Sequence, residues 1–441
     1  MAKTKLQTQK YSGNCFTTQF SYRKLAGLFC IILLQQSVFA AGEEQKLGEQ
    51  KLDEQQLVDN FWSALSEDEI QLSRQQLAAQ VAGVDELYQL LKAGPAYSPD
   101  VAVGQLESAR ISADGTRFPY VILVPDDYDP AISYPVEFML HGGVSRPEWE
   151  AGGNWWRRGY DSLKQADRIM VIPASWNDAF WWYDNQAENL PAILRTLKQN
   201  YNVDNNRVSL TGVSDGGTGA YFFAFKQPTQ WAVFLPYIGH PGVLRNTRSG
   251  GGHNLYFENL LNKAMYIVNT EDDPLYPVSS VMPFINTLEE AGVDYIFKPI
   301  AGGGHNTKWL PDERPMIEQF KVDHPRDPFP EVVRWVADRT DRYNRNLWIR
   351  VDELASESEA GILEVSRDGN TFTVLVDSVA AFTLLLNPEE VDFSEAIKVN
   401  VNGSLLFEEI VVQNKDTLLR WAQQDFDKSM LYTAELNLET N

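Results

Sequence analysis

Cysteine is almost missing from this 441-residue chain: there are only 2, Cys15 and Cys30, and both fall within the first forty residues. Past that point disulfides, a thiol nucleophile and cysteine-ligated metal are excluded. Histidine is nearly as scarce, with 5 in all, so an imidazole base must be His141, His240, His253, His305 or His324. Positive charge is also short, at 38 Lys and Arg against 60 Asp and Glu, for a net charge of −22. Five of those cations (Lys3, Lys5, Lys10, Arg23, Lys24) sit in the first forty residues, leaving −22 − 5 = −27 on the rest. So acidic a surface argues against nucleic acid or anionic membrane as partners, since both require a basic face. The longest apolar run, "LAGLFCIILL" and its neighbours, falls short of the about 20 residues a membrane span requires.

That run has another use. A basic start without acids, an apolar centre and a Val-x-Ala end describe a secretory signal peptide over residues 1–40, and the mature protein is expected in the periplasm or outside the cell. Residues 41–105 read as a polar linker followed by a helical cap. Ser66 to Glu69 has capping-box spacing, and "VDELYQLLKAG" ends on glycine.

From about residue 106 short strands such as "FPYVILVP", "YPVEFML", "RVSLTG" and "AMYIVNT" alternate with helical segments. Near-continuous apolar strands predict an α/β fold, a mostly parallel sheet with helices on both faces, over 106–343. Residues 344–441 read as a β-rich accessory domain, with hairpin turns at Asp368-Gly369 and Asn402-Gly403.

Chemistry concentrates at "SLTGVSDGGTGAYFFAF", where a strand runs through Gly212-Val213-Ser214-Asp215-Gly216 into a helix. A glycine-flanked serine at the carboxyl end of such a strand makes a strained turn that lifts its hydroxyl clear of the sheet. A serine requires a base, and the base requires an acid to fix its tautomer. In the order serine, acid, histidine, His305 in "AGGGH" is the candidate base, following the last strand on a glycine-rich loop. His324 is the other downstream histidine. Asp273, opening the Asp-x-x-x-Pro turn of "NTEDDPLYP", is the candidate acid, with Asp272 as the alternative. "MLHGG" places His141-Gly142-Gly143 after another strand, so the amides of Gly143 and Asp215 are candidate oxyanion donors; His141 reads as a structural loop histidine.

At these residues the chain resembles the secreted α/β-hydrolases, a group of carboxylesterases, polyhydroxybutyrate-depolymerase-like and feruloyl esterases, and prolyl-oligopeptidase-type catalytic domains. The resemblance covers about 106–340 and implies acyl transfer without a metal or organic cofactor. It departs at Asp215, where relatives carry Met or Gln after the nucleophile. A carboxylate there is expected to shift the pH profile or favour cationic substrates. Tryptophans gather at Trp149, Trp155, Trp156, Trp176, Trp181 and Trp182, accompanied by Arg146, Arg157 and Arg158. Of these Trp155, Trp176, Trp181 and Trp182 are candidates for a substrate-binding aromatic wall; packing an insertion onto the core is the other reading.

The expected function is therefore an exported serine hydrolase cleaving small or polymeric carboxylic esters. A prolyl-oligopeptidase-type peptidase and a non-catalytic carbohydrate- or envelope-binding protein on the same fold are the alternatives. Too few residues precede the first strand for the β-propeller that such peptidases usually carry.

Overall fold

Runs of Val, Ile, Leu and Phe form stable strands only where both faces are covered. The computed structural model describes residues 52–147, 155–157, 159 and 164–440, so the expected signal peptide lies outside the described residues. Within Asp53–Asn441, which form one compact unit, the chain opens with three helices: α1 (Glu54–Ser63), α2 (Glu67–Gln80) and α3 (Val84–Ala93). The Ser66–Glu69 capping box forms as read, Glu69 N–H donating to Ser66 Oγ and Ser66 N–H to Glu69 Oε2.

Eight strands then build the main sheet: β1 (Gly104–Ile111), β2 (Arg117–Val124), β3 (Tyr134–Leu140), β4 (Ile169–Pro173), β5 (Val203–Val213), β6 (Val233–Tyr237), β7 (Ala264–Thr270) and β8 (Tyr295–Ile300). Their order is β1-β2-β4-β3-β5-β6-β7-β8. β1 and β2 run antiparallel, and the pairs from β4 and β3 onward are parallel. This is the α/β-hydrolase fold.

Side-chain alternation divides the core. Val136, Phe138, Leu210, Phe234 and Ile267 meet α4 (Asp184–Asn200), α5 (Asp215–Lys226) and α6 (Val278–Ala291) on one face. Leu235, Tyr237, Tyr266 and Val268 meet α7 (Leu310–Asp323) on the other. α5 is buried all round from Gly216 to Lys226, as a central helix must be when apolar on every side.

Beyond α7 come β9 (Val332–Ala337), β10 (Arg345–Asn346), β11 (Ile349–Leu354), β12 (Gly361–Asp368), β13 (Thr371–Asp377), β14 (Val379–Leu386), β15 (Ile397–Val401), β16 (Ser404–Glu409), α8 (Lys415–Asp425) and β17 (Ala434–Glu439). They form a 4-stranded sheet, β10-β11-β14-β17, and a 5-stranded sheet, β16-β15-β13-β12-β9, around a shared core of Trp335, Trp348, Phe372, Phe382, Trp421 and Tyr432. Both expected hairpins are present. β9 pairs with β12, so this β-module draws in residues before 344.

The amino-terminal helices lie against the β-module. Asn387 Nδ2–H donates to the Tyr88 hydroxyl at 3.1 Å and Lys415 Nζ to the Val81 carbonyl at 2.9 Å; Trp62 meets Phe426 edge to face at 5.2 Å. Gln199, at the α4 carboxyl end, donates to the Ala64 carbonyl. In a parallel α/β sheet that end of a helix lies at the amino edge of the strands, so α1 reaches the edge opposite the strand ends that carry Ser214.

A buried ionic knot joins the sheet to the β-module. Arg326 Nη2 meets Asp427 Oδ2 at 2.7 Å, its Nε donates to Asn206 Oδ1 at 3.1 Å, and Lys198 Nζ lies 3.8 Å from the same carboxylate. Burial alone would raise the Asp427 carboxyl, but Arg326 and Lys198 overrule it and hold the group far below the usual range. Removing this anion strands two cations in a dry interior. Asp427→Ala is expected to cost about 3–5 kcal/mol, read as a lowered urea midpoint; a loss under about 1 kcal/mol would contradict the assignment.

Candidate active site

Two glycines and one strained serine build the turn after β5. A Cβ on Gly212 would lie 2.0 Å from the Gly216 carbonyl oxygen, and one on Gly216 would lie 2.0 Å from the Leu140 oxygen at the end of β3. Any side chain at either position collides with backbone, so glycine is obligatory at both. Ser214 between them has φ 57° and ψ −118°, a conformation costly for a residue with a Cβ. Backbone bonds hold it there: Ser214 N–H donates to the Tyr237 carbonyl at 2.9 Å, and Thr218 N–H to the Ser214 carbonyl at 3.0 Å.

The hydroxyl so presented meets His305. Ser214 Oγ lies 2.7 Å from His305 Nε2, and His305 Nδ1 lies 2.7 Å from Asp273 Oδ2. A carboxylate only accepts, so Nδ1 carries the hydrogen and Nε2 is left to accept from the serine hydroxyl. Asp273 is 2% exposed, and its other oxygen accepts from the amides of Leu275 (2.8 Å) and Tyr276 (3.0 Å). Burial pushes this carboxyl up; the Tyr276 amide, His305 and the Leu275 amide outweigh it and leave it below its ordinary value. Asp272, the alternative acid, is exposed.

Neighbouring side chains anchor both loops. Thr270 Oγ1–H donates to the Gly304 carbonyl at 3.0 Å, and Gly302 N–H to Glu271 Oε2 at 3.2 Å, which ties down the histidine loop. Buried Asn269 clamps the acid loop through Nδ2–H bonds to the carbonyls of Tyr276 (3.0 Å) and Gly239 (3.3 Å). Tyr276 stands edge-on to the His305 ring at 5.9 Å. Asn269 and Tyr276 were not singled out in sequence, because neither bears a group that would act on its own.

The loop after β3 lies directly against Ser214. A Cβ on Gly142 would sit 2.9 Å from Ser214 Cβ and 3.5 Å from its Oγ. Gly143 follows with φ +68°, and its amide and that of Asp215 make no hydrogen bond to any described residue. His141 is structural. Its Nδ1–H donates to the Gly142 carbonyl at 2.9 Å and its Nε2 accepts from Ser175 N–H at 3.0 Å. Burial, with Arg146 nearby, lowers it to about 4 against the pull of that carbonyl. The Asp215 carboxylate accepts from Val144 N–H at 3.0 Å.

The expected aromatic wall is corrected by burial. Trp176, Trp181 and Trp182 are 2%, 0% and 3% exposed, too enclosed for a ring face to meet substrate. Trp176 packs on Phe118 at 5.2 Å. Trp181 donates Nε1–H to the His141 carbonyl at 2.9 Å and fills the space above Gly219. Trp182 donates to the Ser249 carbonyl. Trp155 belongs to the short 3-10 turn Trp155–Arg157, its side chain lying outside what is described, as do Trp149 and Arg158. Of the remaining histidines, His240 caps the 3-10 turn Pro241–Arg245, His253 bonds to the Trp182 carbonyl and His324 closes α7. Among the described residues no cluster of three metal-ligating side chains occurs, and no helix is long and apolar enough to cross a membrane.

No protein-family model matches the chain, and no curated protein matches it. Among solved structures it is similar to a thermostable esterase, with 20% identity over 50% of this chain and 63% of that one and a TM-score of 0.40. It is similar also to the S-formylglutathione hydrolase of Staphylococcus aureus (15% identity, 51% and 99% covered, TM-score 0.40). A third likeness is to a putative dipeptidyl aminopeptidase IV of Bacteroides ovatus (16% identity, 50% and 36% covered, TM-score 0.38).

Placing a methyl on Gly216 forces the Leu140 carbonyl and the serine turn apart. Gly216→Ala is expected to destabilise the chain by more than about 4 kcal/mol or to leave it insoluble; circular dichroism with urea unfolding checks this, and near-native stability would contradict the packing described.

Proposed function

We propose that the chain is a serine hydrolase that cleaves carboxylic esters through an acyl-enzyme. The observation that carries this reading is the unbroken hydrogen-bond chain from Ser214 Oγ through His305 to the buried Asp273 carboxylate. Ser214 Oγ attacks the ester carbonyl carbon as its proton passes to His305 Nε2. The oxygen that gains charge meets the amides of Gly143 and Asp215, donors fixed before the reaction begins. Collapse expels the alcohol, which takes the proton from Nε2. Water, deprotonated by the same nitrogen, then attacks the acyl-serine and frees the acid. Asp273 holds the proton on Nδ1 and stabilises the imidazolium formed in each half-reaction.

The basic, acid-free start and apolar run of residues 1–40 support export, and the division of the chain into leader, helical cap, catalytic part and β-module is proposed with it, the β-module taking in β9 ahead of residue 344. A serine peptidase shares this chemistry, so the substrate panel decides between ester and amide.

Steady-state hydrolysis of p-nitrophenyl esters, feruloyl esters and aminoacyl amides by the wild type, Ser214→Ala and Asp273→Asn tests the proposal. Ester turnover by the wild type is expected, with losses of roughly 10⁴-fold or more in each variant. Preference for the amides would favour the peptidase; full activity of Ser214→Ala would reject both. Because Asp273 is held below its ordinary value, it stays charged above the ordinary carboxylate range and adds no limb of its own to the profile there. The kcat/KM of the wild type is therefore expected to rise with pH along one limb with a slope of about 1; a steeper limb, in pH-dependent kinetics, would show a second group titrating.

A further inference from the structure

Gly142 and Gly143 are the freest residues of the loop that faces Ser214, and the fold holds them from both sides. On the amino side His141 is fixed by Ser175 N–H on its Nε2 and by Trp181 Nε1–H on its carbonyl. On the carboxyl side Val144 N–H donates to Asp215 Oδ2 at 3.0 Å. That second bond spans 71 residues and is made by the residue directly after the nucleophile.

We infer that the Asp215 side chain is a positioning residue: it locks the loop bearing the Gly143 amide onto the first turn of the nucleophile helix, so that both oxyanion donors keep one spacing. The inference rests on the serine-hydrolase reading above. Asp215 therefore acts twice, its backbone N–H as a donor and its carboxylate as a clamp, and only the clamp is lost when the side chain is replaced. Glycine has the widest conformational range of any residue. Gly143 is exposed and at positive φ; after it come Val144, whose side chain is buried, and Arg146, whose carbonyl accepts from Asn177 N–H at 2.8 Å, and it is the Val144 amide bond that ties the loop to the residue after Ser214. Oxyanion donors work because they are already in place when charge develops, and a displacement of about 1 Å at such a site costs up to about 100-fold in rate.

The clamp requires a hydrogen-bond acceptor of the right length and no charge. This separates it from the sequence-based expectation that a carboxylate beside Ser214 tunes the pH profile or attracts cationic substrates. An amide oxygen in Asp215→Asn makes the same bond to Val144 N–H; Asp215→Ala and Asp215→Leu make none, and leucine nearly matches asparagine in shape.

The test is ester kinetics on the full chain for wild type, Asp215→Ala, Asp215→Leu and Asp215→Asn, with urea midpoints to confirm folding. Alanine and leucine are expected to lower kcat about 10- to 100-fold with KM within about 3-fold and the acid limb of the pH profile unmoved. Asparagine is expected to recover most of the loss. The leucine variant decides if the alanine variant does not fold. Wild-type kcat in a folded alanine or leucine variant overturns the inference, as does asparagine as impaired as leucine, since charge would then be what matters. In both cases the wild type still turns over and the serine-hydrolase reading stands; a wild type inert on every ester and amide overturns that reading and the clamp with it.

Discussion

The meeting of β3, β5 and the start of α5 leaves no room for a side chain, and the site follows from that contact. Gly212 and Gly216 let three backbones approach to a spacing that a single methyl group would break. The chain then has one way out, through a serine at positive φ whose hydroxyl stands clear of the sheet. The same approach brings the loop leaving β3 against Ser214, so the proposed nucleophile and the candidate oxyanion donors become neighbours through one packing event. Strain at Ser214 costs free energy locally and is offset by the core around it, since α5 is buried on every side.

Around this turn three loops of different strands converge, and each is held by groups outside the hydrogen-bond chain of Ser214, His305 and Asp273. Thr270 and Glu271 fix the histidine loop, Asn269 the acid loop, Trp181 and Ser175 the loop after β3. A site of this kind works to the extent that its groups are placed before substrate arrives. The β-module, with α1–α3 packed against it, is tied to the sheet through Arg326, Asp427 and Lys198. That bracing resists unfolding.

Much of this was legible in the sequence because it is written in residues with narrow physical meaning. Glycines flanking Ser214, apolar runs ending in loops, and Asp-Gly and Asn-Gly turns each admit few structures. β1 escaped notice because it is an edge strand of mixed burial, and β9 because it pairs with β12 rather than with the neighbouring sheet. The tryptophans misled for a different reason. Composition shows that Trp176, Trp181 and Trp182 are clustered but not which way their rings face, and each ring turned inward. The partner of the Asp215 carboxylate was likewise hidden, since Val144 is distant in sequence and offers only a backbone amide. Asp273 was separable from Asp272 only once burial was visible.

The central claim is that His305 and Asp273 make Ser214, among all the serines of the chain, a nucleophile. Intact-mass and peptide-mass analysis after exposure to a fluorophosphonate addresses it most directly. One adduct per chain is predicted, on the peptide holding Ser214, forming far more slowly when His305 is replaced by alanine. An adduct on another serine, no adduct between pH 6 and 9, or equal labelling without His305 would contradict it.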